Sequence, residues 1–223
     1  MSIVRPIIID KPKNKSKLPI EIPQLHFAMT ALASRGSGKT AIICGIIKDF
    51  YRKTFEDIIV ISPTVFHDLT FKSLEKYDNI SFRNKCSDNI LFTLLEIQKI
   101  RFQQDKSKTL LLYLDDMASK LRSQNKQGMD ELFSTCRHYG ISLIICAQHY
   151  SHLSPTVRDN TDSFLVWRLG EKEYKKMAED GFRFDKTEEE FVQYCLENTR
   201  EPHSFVYLNG QNNQNGRFNI GFS

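Results

Sequence analysis

Residues 31–40, ALASRGSGKT, decide the fold. The end of this stretch matches the phosphate-binding signature G-x-x-x-x-G-K-[ST], in which glycine, lysine and a hydroxyl residue stand in fixed register. Gly38, Lys39 and Thr40 occupy those positions, but Ala33 replaces the first glycine. Alanine is the smallest replacement, so the loop is preserved if residue 33 has a backbone conformation that does not require glycine.

The segments beside this loop predict a strand before it and a helix after it. Residues 25–33, LHFAMTALA, form a short apolar run that is typical of a buried strand. The apolar residues after the loop recur at helical spacing on one broad face: Ile42, Ile43, Ile46, Ile47 and Phe50. This order of strand, loop and helix is what phosphate binding needs, and it argues against an accidental glycine turn. Gly36 and Gly38 leave N–H groups free to face a phosphate at the positive end of the helix.

The rest of the chain alternates between apolar strands and helices. Further buried strands are predicted over residues 57–64, 109–116, 140–148 and 162–169, and helices over residues 68–77, 88–104 and 128–138. Continuous apolar strands that alternate with helices predict an α/β fold with a mostly parallel central sheet covered by helices on both faces. Towards the end, residues 171–180 and 186–198 predict helices, and residues 203–210 and 216–222 predict a C-terminal β-hairpin around a polar loop.

Composition places the chain among globular proteins of a reducing compartment. A length of 223 residues suits one domain, which we assign to residues 25–223 with a core over 25–170. The net charge of +4 is compatible with a nucleic-acid partner but does not require one. The five cysteines form no CxxC pair, which argues against a zinc site. No signal-peptide pattern or membrane-spanning apolar run is present in the sequence.

Residues 1–24 have the character of a basic arm. This segment carries Lys11, Lys13, Lys15 and Lys17 together with several prolines. Two interpretations are open: a solvated tail, or an arm that contacts the phosphates of a nucleic acid.

An acidic pair, Asp115 and Asp116, closes the predicted strand over residues 109–116. A carboxylate at the end of a strand beside the loop strand can hold Mg²⁺, and the next carboxylate can orient and deprotonate an attacking water. We assign Asp115 to Mg²⁺, with Thr40 as the second ligand, and Asp116 to the base, although Asp has one methylene less reach than Glu. The alternative is a turn that is merely rich in Asp.

Several blocks together resemble a known family. SRGSGKT (34–40), VISPT (60–64), LYLDDM (112–117) and CRHYGISLIICAQHYSHLSPTVRDN (136–160) are similar to the poxvirus-type genome-packaging ATPases of the FtsK/HerA superfamily. That family occurs in large DNA viruses, virophages and related elements. The resemblance covers residues from about 25 to 170 and implies a RecA/FtsK-like P-loop NTPase.

The resemblance also implies roles for single residues. It implies that ATP and Mg²⁺ bind at the loop residues Ser34, Arg35, Gly36, Ser37, Gly38, Lys39 and Thr40. Gln148 matches a glutamine that senses the γ-phosphate. Arg137 matches an arginine that reaches the γ-phosphate of a neighbouring subunit, with Arg158 as the second candidate. The alternative for Arg137 is a cation that satisfies carbonyls at the end of a helix.

The implied function is a pentameric or hexameric ring that moves double-stranded DNA into a preformed capsid or portal vertex. Such a protein would act in the infected host cell, at a cytoplasmic viral factory or on the virion. Candidate DNA contacts are His149, Arg158 and the four lysines of the arm. Nearby histidines lack metal-site spacing and are expected to be loop residues. Other FtsK/HerA-type translocases or helicases remain an alternative; a kinase or nucleotide-binding partner is less favoured, because no compact arginine-rich lid is found.

Overall fold

The computed structural model describes residues 18–19, 22–116, 127–182 and 185–210. Its centre is a seven-stranded sheet with the order β3-β2-β4-β5-β1-β6-β7. The strands are β1 (Ala28–Leu32), β2 (Asp57–Ile61), β3 (Ile80–Arg83), β4 (Leu110–Leu114), β5 (Ile141–Ala147), β6 (Ser163–Val166) and β7 (Val206–Asn209). All neighbours run parallel except β6 and β7. The predicted α/β class with a mostly parallel sheet is confirmed.

Helices cover both faces of this sheet. They are α1 (Lys39–Ile46), α2 (Asp88–Gln104), α3 (Gln127–Thr135), α4 (Pro155–Asp159), α5 (Glu171–Met177) and α6 (Glu188–Asn198). A π-helical turn, Ile47–Tyr51, continues α1, and another, Ala178–Phe182, continues α5. Single 3₁₀ turns occupy Leu69–Ser73, Cys136–Tyr139 and Tyr150–His152. In the described ranges, no helix combines the length and the apolar character needed to cross a bilayer.

Two apolar layers hold the sheet, because successive side chains of a strand point to opposite faces. In β1, Leu32 joins the layer that contains α2 and α3, whereas Ala31 joins the layer that contains α1. Burial on both faces explains why the strand sequences are continuously apolar. The register aligns Leu32 with Ala147 of β5 and with Val166 of β6, so the carboxyl ends of the central strands meet at one edge.

The helix boundaries follow local capping chemistry. Ser87 Oγ accepts a hydrogen bond from Ile90 N at 3.4 Å at the start of α2. At the start of α6, Thr187 and Glu190 form a capping box in which each side chain bonds the other residue's N–H. Such pairs satisfy N–H groups that have no partner within the helix.

The structure differs from the sequence expectation at three places. Strand β3 was not predicted: it is a four-residue edge strand, ISFR, and so short an alternation gives little periodic signal. The helix expected over residues 68–77 is only the 3₁₀ turn Leu69–Ser73. The first half of the predicted hairpin is β7, which pairs with β6, and its second half, residues 216–222, lies outside the described residues.

Candidate active site

The loop after β1 lies at the carboxyl edge of the sheet. Ala33 is fully buried and its N–H donates to Ala147 O at 3.0 Å, which extends the pairing of β1 with β5. Positive φ angles occur in this loop at Gly36 (80°) and Gly38 (84°), and not at Ala33. Ala33 therefore occupies a position that does not require glycine, and both left-handed positions of the loop are glycines.

The first turn of α1 meets the end of β4. Lys39 Nζ lies 3.5 Å from Asp115 Oδ1 and 3.2 Å from Asp116 Oδ1. Thr40 Oγ1 donates a hydrogen bond to Asp115 Oδ2 at 3.3 Å. The Asp115 backbone is held in place because its N–H donates to Ile61 O of β2 at 2.9 Å. The structure thus brings together four predicted site residues: Lys39 and Thr40 of the loop, and the acidic pair Asp115 and Asp116.

Burial and charge set the ionisation of this cluster. The side chains of Lys39 and Asp115 are 10% and 4% exposed, whereas that of Asp116 is 44% exposed. Burial alone would lower the pKa of Lys39, but the charges of Asp115 and Asp116 outweigh it, so the pKa is raised and the ammonium stays protonated. Burial raises the pKa of Asp115, and the Lys39 charge opposes that change.

A buried thiol lies level with Asp115 on the neighbouring strand β5. Cys146 is buried on β5, its Sγ lies 3.8 Å from Tyr113 Oη, and burial holds the pKa of the thiol well above its usual range. The thiol donates to the Tyr113 hydroxyl, and its burial keeps it neutral beside the Asp115 carboxylate. A reduced Cys within an apolar run such as residues 141–147 is typical of a small hydrophobe. The position of Cys146 level with Asp115 follows from the pairing of β4 with β5, which the sequence does not display.

Asp116 has an unusual backbone. Its φ is 53°, in the left-handed region that non-glycine residues rarely adopt, although Asp is one of the more tolerant types. Such strain persists only where the surroundings hold it, and here the ion pair with Lys39 contributes. The conformation turns the more exposed carboxylate of the pair towards the same ammonium as Asp115.

The oxygen atoms of this cluster suit a small divalent cation. Asp115 Oδ1 is buried, accepts no hydrogen bond in the described structure and lies 3.5 Å from Lys39 Nζ, so a cation that displaced the ammonium could use its lone pairs. Thr40 Oγ1 and the Asp115 carboxylate are hard oxygen donors, the type that Mg²⁺ prefers, and Mg²⁺ commonly takes few protein ligands. Within the described ranges, no group of three His, Cys, Asp or Glu side chains could hold a metal.

Gln148 directly follows β5 at the same edge. Because Leu32 aligns with Ala147, Gln148 lies level with Ala33, at the start of the phosphate loop. Its side chain is exposed. Ser34, Arg35 and Gly36 at the tip of the loop are exposed as well. The glutamine is therefore placed between the loop strand and the strand that carries the acidic pair.

Arg137 lies at the opposite edge of the sheet. It belongs to the turn before β5, and the seven residues of that strand span about 20 Å. Arg137 Nη2 lies 2.5 Å from Asp162 Oδ1, and Asp162 Oδ2 accepts from Ala28 N at 2.8 Å. The structure therefore separates Arg137 from Lys39 of the same chain.

The two candidate DNA contacts in the described residues differ in accessibility. Arg158 is 13% exposed, its Nη1 lies 2.9 Å from Asp180 Oδ2, and its guanidinium is 5.3 Å from the Tyr150 ring centre. Tyr150 donates to the same Asp180 oxygen at 2.8 Å. His149 is half-exposed and its ring lies 4.4 Å from that of His152. Lys11, Lys13, Lys15 and Lys17 lie outside the described residues.

His203 also lies at this site, and it was not predicted from the sequence. His203 Nδ1 lies 3.1 Å from Ser37 O of the phosphate loop, although 166 positions separate the two residues. No motif or spacing connects them in the sequence. Only the docking of the turn before β7 against the loop brings His203 to this edge.

Comparison with families and curated proteins gives one consistent result. The family model described as Poxvirus A32 protein matches residues 20–181. The curated DNA packaging protein OPG160 of Variola virus is 24% identical over 169 residues, which cover 74% of this chain and 62% of that protein. The chain thus spans about three fifths of the length of that relative.

Solved structures share the fold. The genome packaging NTPase B204 from Sulfolobus turreted icosahedral virus 2, in complex with AMPPCP, has a TM-score of 0.59 at 15% identity, over 85% of this chain and 94% of that chain. VirB4 of Thermoanaerobacter pseudethanolicus has a TM-score of 0.57 at 13% identity, over 88% of this chain and 89% of that chain. At these identities the likeness concerns the fold alone.

Proposed function

Because the chain belongs to the Poxvirus A32 protein family, we propose that it is an ATPase motor that moves double-stranded DNA into a preformed viral capsid. The family membership confirms the resemblance read from the sequence blocks. The observation that carries the proposal is the cluster in which Lys39 contacts both carboxylates while Thr40 bonds Asp115. The packaging role named for the Variola virus relative supports the DNA part.

ATP is the proposed substrate. The loop after Ala33 would offer backbone N–H groups to the phosphates at the N-terminus of α1, where the helix dipole favours an anion. Lys39 now neutralises two carboxylates, and the β- and γ-phosphates would compete with them for its ammonium. The raised pKa of Lys39 keeps that charge available. A structural neighbour in complex with an ATP analogue is consistent with this assignment.

Mg²⁺ is the proposed cofactor, and Thr40 with Asp115 would hold it. When bound, the ion would neutralise charge on the phosphates. Two observations support this role: Asp115 Oδ1 is buried without a hydrogen bond, and Asp115 Oδ2 lies 3.3 Å from Thr40 Oγ1.

Three further residues would complete hydrolysis. Asp116 would orient and deprotonate the attacking water, and Gln148 would sense the γ-phosphate from the adjacent strand end. Arg137 cannot serve the site of its own chain from the opposite edge of the sheet, so it would act on a neighbouring subunit. This assignment requires a ring, for which we propose five or six copies, with Arg158 as the second candidate arginine.

The remaining partners follow from the packaging role. We propose that His149, with Arg158 if its pair with Asp180 opens, and the lysines of residues 1–24 contact the DNA backbone. Such contacts are independent of sequence and weaken as salt increases. The ring would dock on a capsid or portal vertex in the infected cell, at a cytoplasmic viral factory or on the virion.

The proposal is tested by steady-state ATP hydrolysis with and without duplex DNA. The wild-type protein should hydrolyse ATP faster with DNA, whereas Lys39→Ala should lose hydrolysis under both conditions. Lys48→Ala is the matched control, because Lys48 is a half-exposed lysine paired with Asp49 outside the cluster. Equal activity in wild type and Lys39→Ala would contradict the ATPase assignment. A strand-displacement assay separates packaging from the helicase alternative, because a packaging motor need not unwind its substrate.

A further inference from the structure

The turn between α6 and β7 docks against the phosphate loop. The turn lies between Asn198, the last residue of α6, and Val206, the first residue of β7. It is anchored from within, because Ser204 Oγ donates to Glu201 O at 2.6 Å. It is also anchored to the carboxyl edge, since the Phe205 ring lies 4.8 Å from the Trp167 ring. The backbone N–H of Trp167 in turn donates to Leu32 O at 2.9 Å. The turn is therefore a fixed support beside the loop.

His203 makes the contact between the turn and the loop. Its Nδ1 lies 3.1 Å from Ser37 O, and a Cβ added at Gly38 would lie 3.2 Å from the same nitrogen. Ser37 O can only accept, so Nδ1 carries the proton in this bond. The imidazole therefore lies against the loop at the residue pair that precedes Lys39.

The backbone of His203 is itself unusual. Its φ is 64°, in the left-handed region, where among non-glycine residues Asn, Asp and His are the more frequent types. The conformation costs free energy, and it persists because the anchored turn enforces it. It aims a ring nitrogen at a carbonyl of the phosphate loop.

A donor on Ser37 O determines where the next N–H points. The peptide between Ser37 and Gly38 is planar and trans, so its C=O and N–H point in opposite directions. If His203 holds the carbonyl outward, the Gly38 N–H faces the interior of the loop. Gly38 has a φ of 84° and no side chain, so its own residue does little to fix the orientation of the peptide before it. Phosphate loops bind the phosphate groups of nucleotides through such backbone N–H groups.

We propose that His203 is a positioning residue for nucleotide binding, which fixes the Ser37–Gly38 peptide so that its N–H faces the phosphates. The inference rests on the proposed binding of ATP at this loop. It also gives the turn between α6 and β7 a role at the site, because the turn then supports the loop through the hydrogen bond from His203 to Ser37 O. The residue does not touch the reacting atoms.

The test compares His203→Asn with His203→Gly in the full chain. Both replacements tolerate a positive φ, but only Asn keeps an N–H donor close to the position of Nδ1. Calorimetric titration with AMPPCP should give a dissociation constant for His203→Asn near that of wild type. For His203→Gly it should be weaker by about 3- to 10-fold, as the loss of one hydrogen bond implies.

The controls separate this inference from the function on which it rests. Thermal unfolding without nucleotide shows whether the variants are folded, and the Asn variant recovers binding only if the donor matters. If wild type binds AMPPCP and His203→Gly binds equally well, the positioning role is wrong. The role is also wrong if the Asn variant binds as weakly as the Gly variant. If wild type itself binds no AMPPCP while Lys48→Ala and wild type are both folded, the proposed nucleotide site fails instead.

Discussion

The two edges of the parallel sheet use charged residues in opposite ways. At the carboxyl edge, Lys39 pairs with two carboxylates. Asp115 has a buried oxygen that accepts no hydrogen bond, and Asp116 has a backbone in the left-handed region. At the amino edge, Arg137 pairs with Asp162, whose other oxygen accepts from the first residue of β1. The first arrangement is strained and incompletely satisfied, and the second ties strands together.

This contrast follows from the topology. In a parallel sheet every strand ends at the same edge, so loops from distant parts of the chain converge there and ligands bind there. The amino edge receives the chain as it enters each strand, and its polar groups can be satisfied by their neighbours. We therefore expect changes at the carboxyl edge to alter nucleotide chemistry, and changes at the amino edge to alter stability. Arg137 is the exception that our proposed function demands.

The largest expected effect is a loss of ATP hydrolysis on replacing Arg137, although this residue lies at the amino edge. If it acts on a neighbouring subunit, Arg137→Ala should lower the rate of ATP hydrolysis by about 10³- to 10⁵-fold, because a guanidinium stabilises transition-state charge. Mixing Arg137→Ala subunits with Lys39→Ala subunits should then restore some activity, since some interfaces combine an intact loop with an intact arginine. Steady-state hydrolysis across mixing ratios measures this.

Asp162→Asn is the matched control for Arg137. It weakens the same ion pair but leaves the guanidinium, so it should reduce stability with far less effect on hydrolysis. If rings assemble and no mixing ratio restores activity, Arg137 does not act in trans. Equal losses of activity in both variants would mean that its role is the structural one at the amino edge.

The next effect concerns His26, which precedes β1 at the amino edge. Its ring lies 5.9 Å from that of Phe102 with its Nδ1 buried and unpartnered, and burial lowers its pKa from 6.5 to about 4. A lowered pKa means that the unfolded chain binds the proton first, so stability is lost as pH falls from about 6.5 to 4. The loss is on the order of 3 kcal/mol, since one pKa unit is about 1.4 kcal/mol.

Urea unfolding as a function of pH tests this assignment. His26→Phe should remove that part of the pH dependence, while carboxylates elsewhere continue to titrate in both proteins. His138→Phe is the control, because His138 is exposed in the turn before β5. An unchanged slope between pH 6.5 and 4 in His26→Phe would show that His26 is not the group responsible.

The smallest expected effect is a loss of stability on replacing Gly140, which directly precedes β5 at the amino edge. Its φ is 68°, and a Cβ there would lie 2.4 Å from the Phe102 ring. Gly140→Ala should therefore lower the free energy of unfolding by about 1–3 kcal/mol, as overpacking does. Gly45→Ala is the matched control, because Gly45 lies in α1 with open space around it and should gain about 0.5–1 kcal/mol.

Urea unfolding and AMPPCP binding of both glycine variants complete the comparison. We expect Gly140→Ala to be less stable but to bind AMPPCP as the wild type does once folded. A stable Gly140→Ala would contradict the close approach of Phe102. Altered binding with unchanged stability would contradict the separation of roles between the two edges.

The central elements could be predicted from residues close together in the chain. The loop, the strand before it and the helix after it depend on local glycine chemistry and on apolar spacing. The position of Asp115 after an apolar strand pointed to the same edge as Lys39, because parallel strands share their carboxyl edge. Strand β3 could not be predicted in this way, since four residues at an edge carry too little pattern.

The sequence by itself determined the α/β class, the phosphate loop and the acidic pair, because each depends on a few neighbouring residues with characteristic chemistry. Only the tertiary structure decided that Arg137 lies at the far edge and that Arg158 is paired with Asp180. It also decided that Cys146 lies level with Asp115 and that His203 contacts the loop. These contacts join residues far apart in the chain. They arise from strand order and from the docking of turns, and no local pattern encodes either of them.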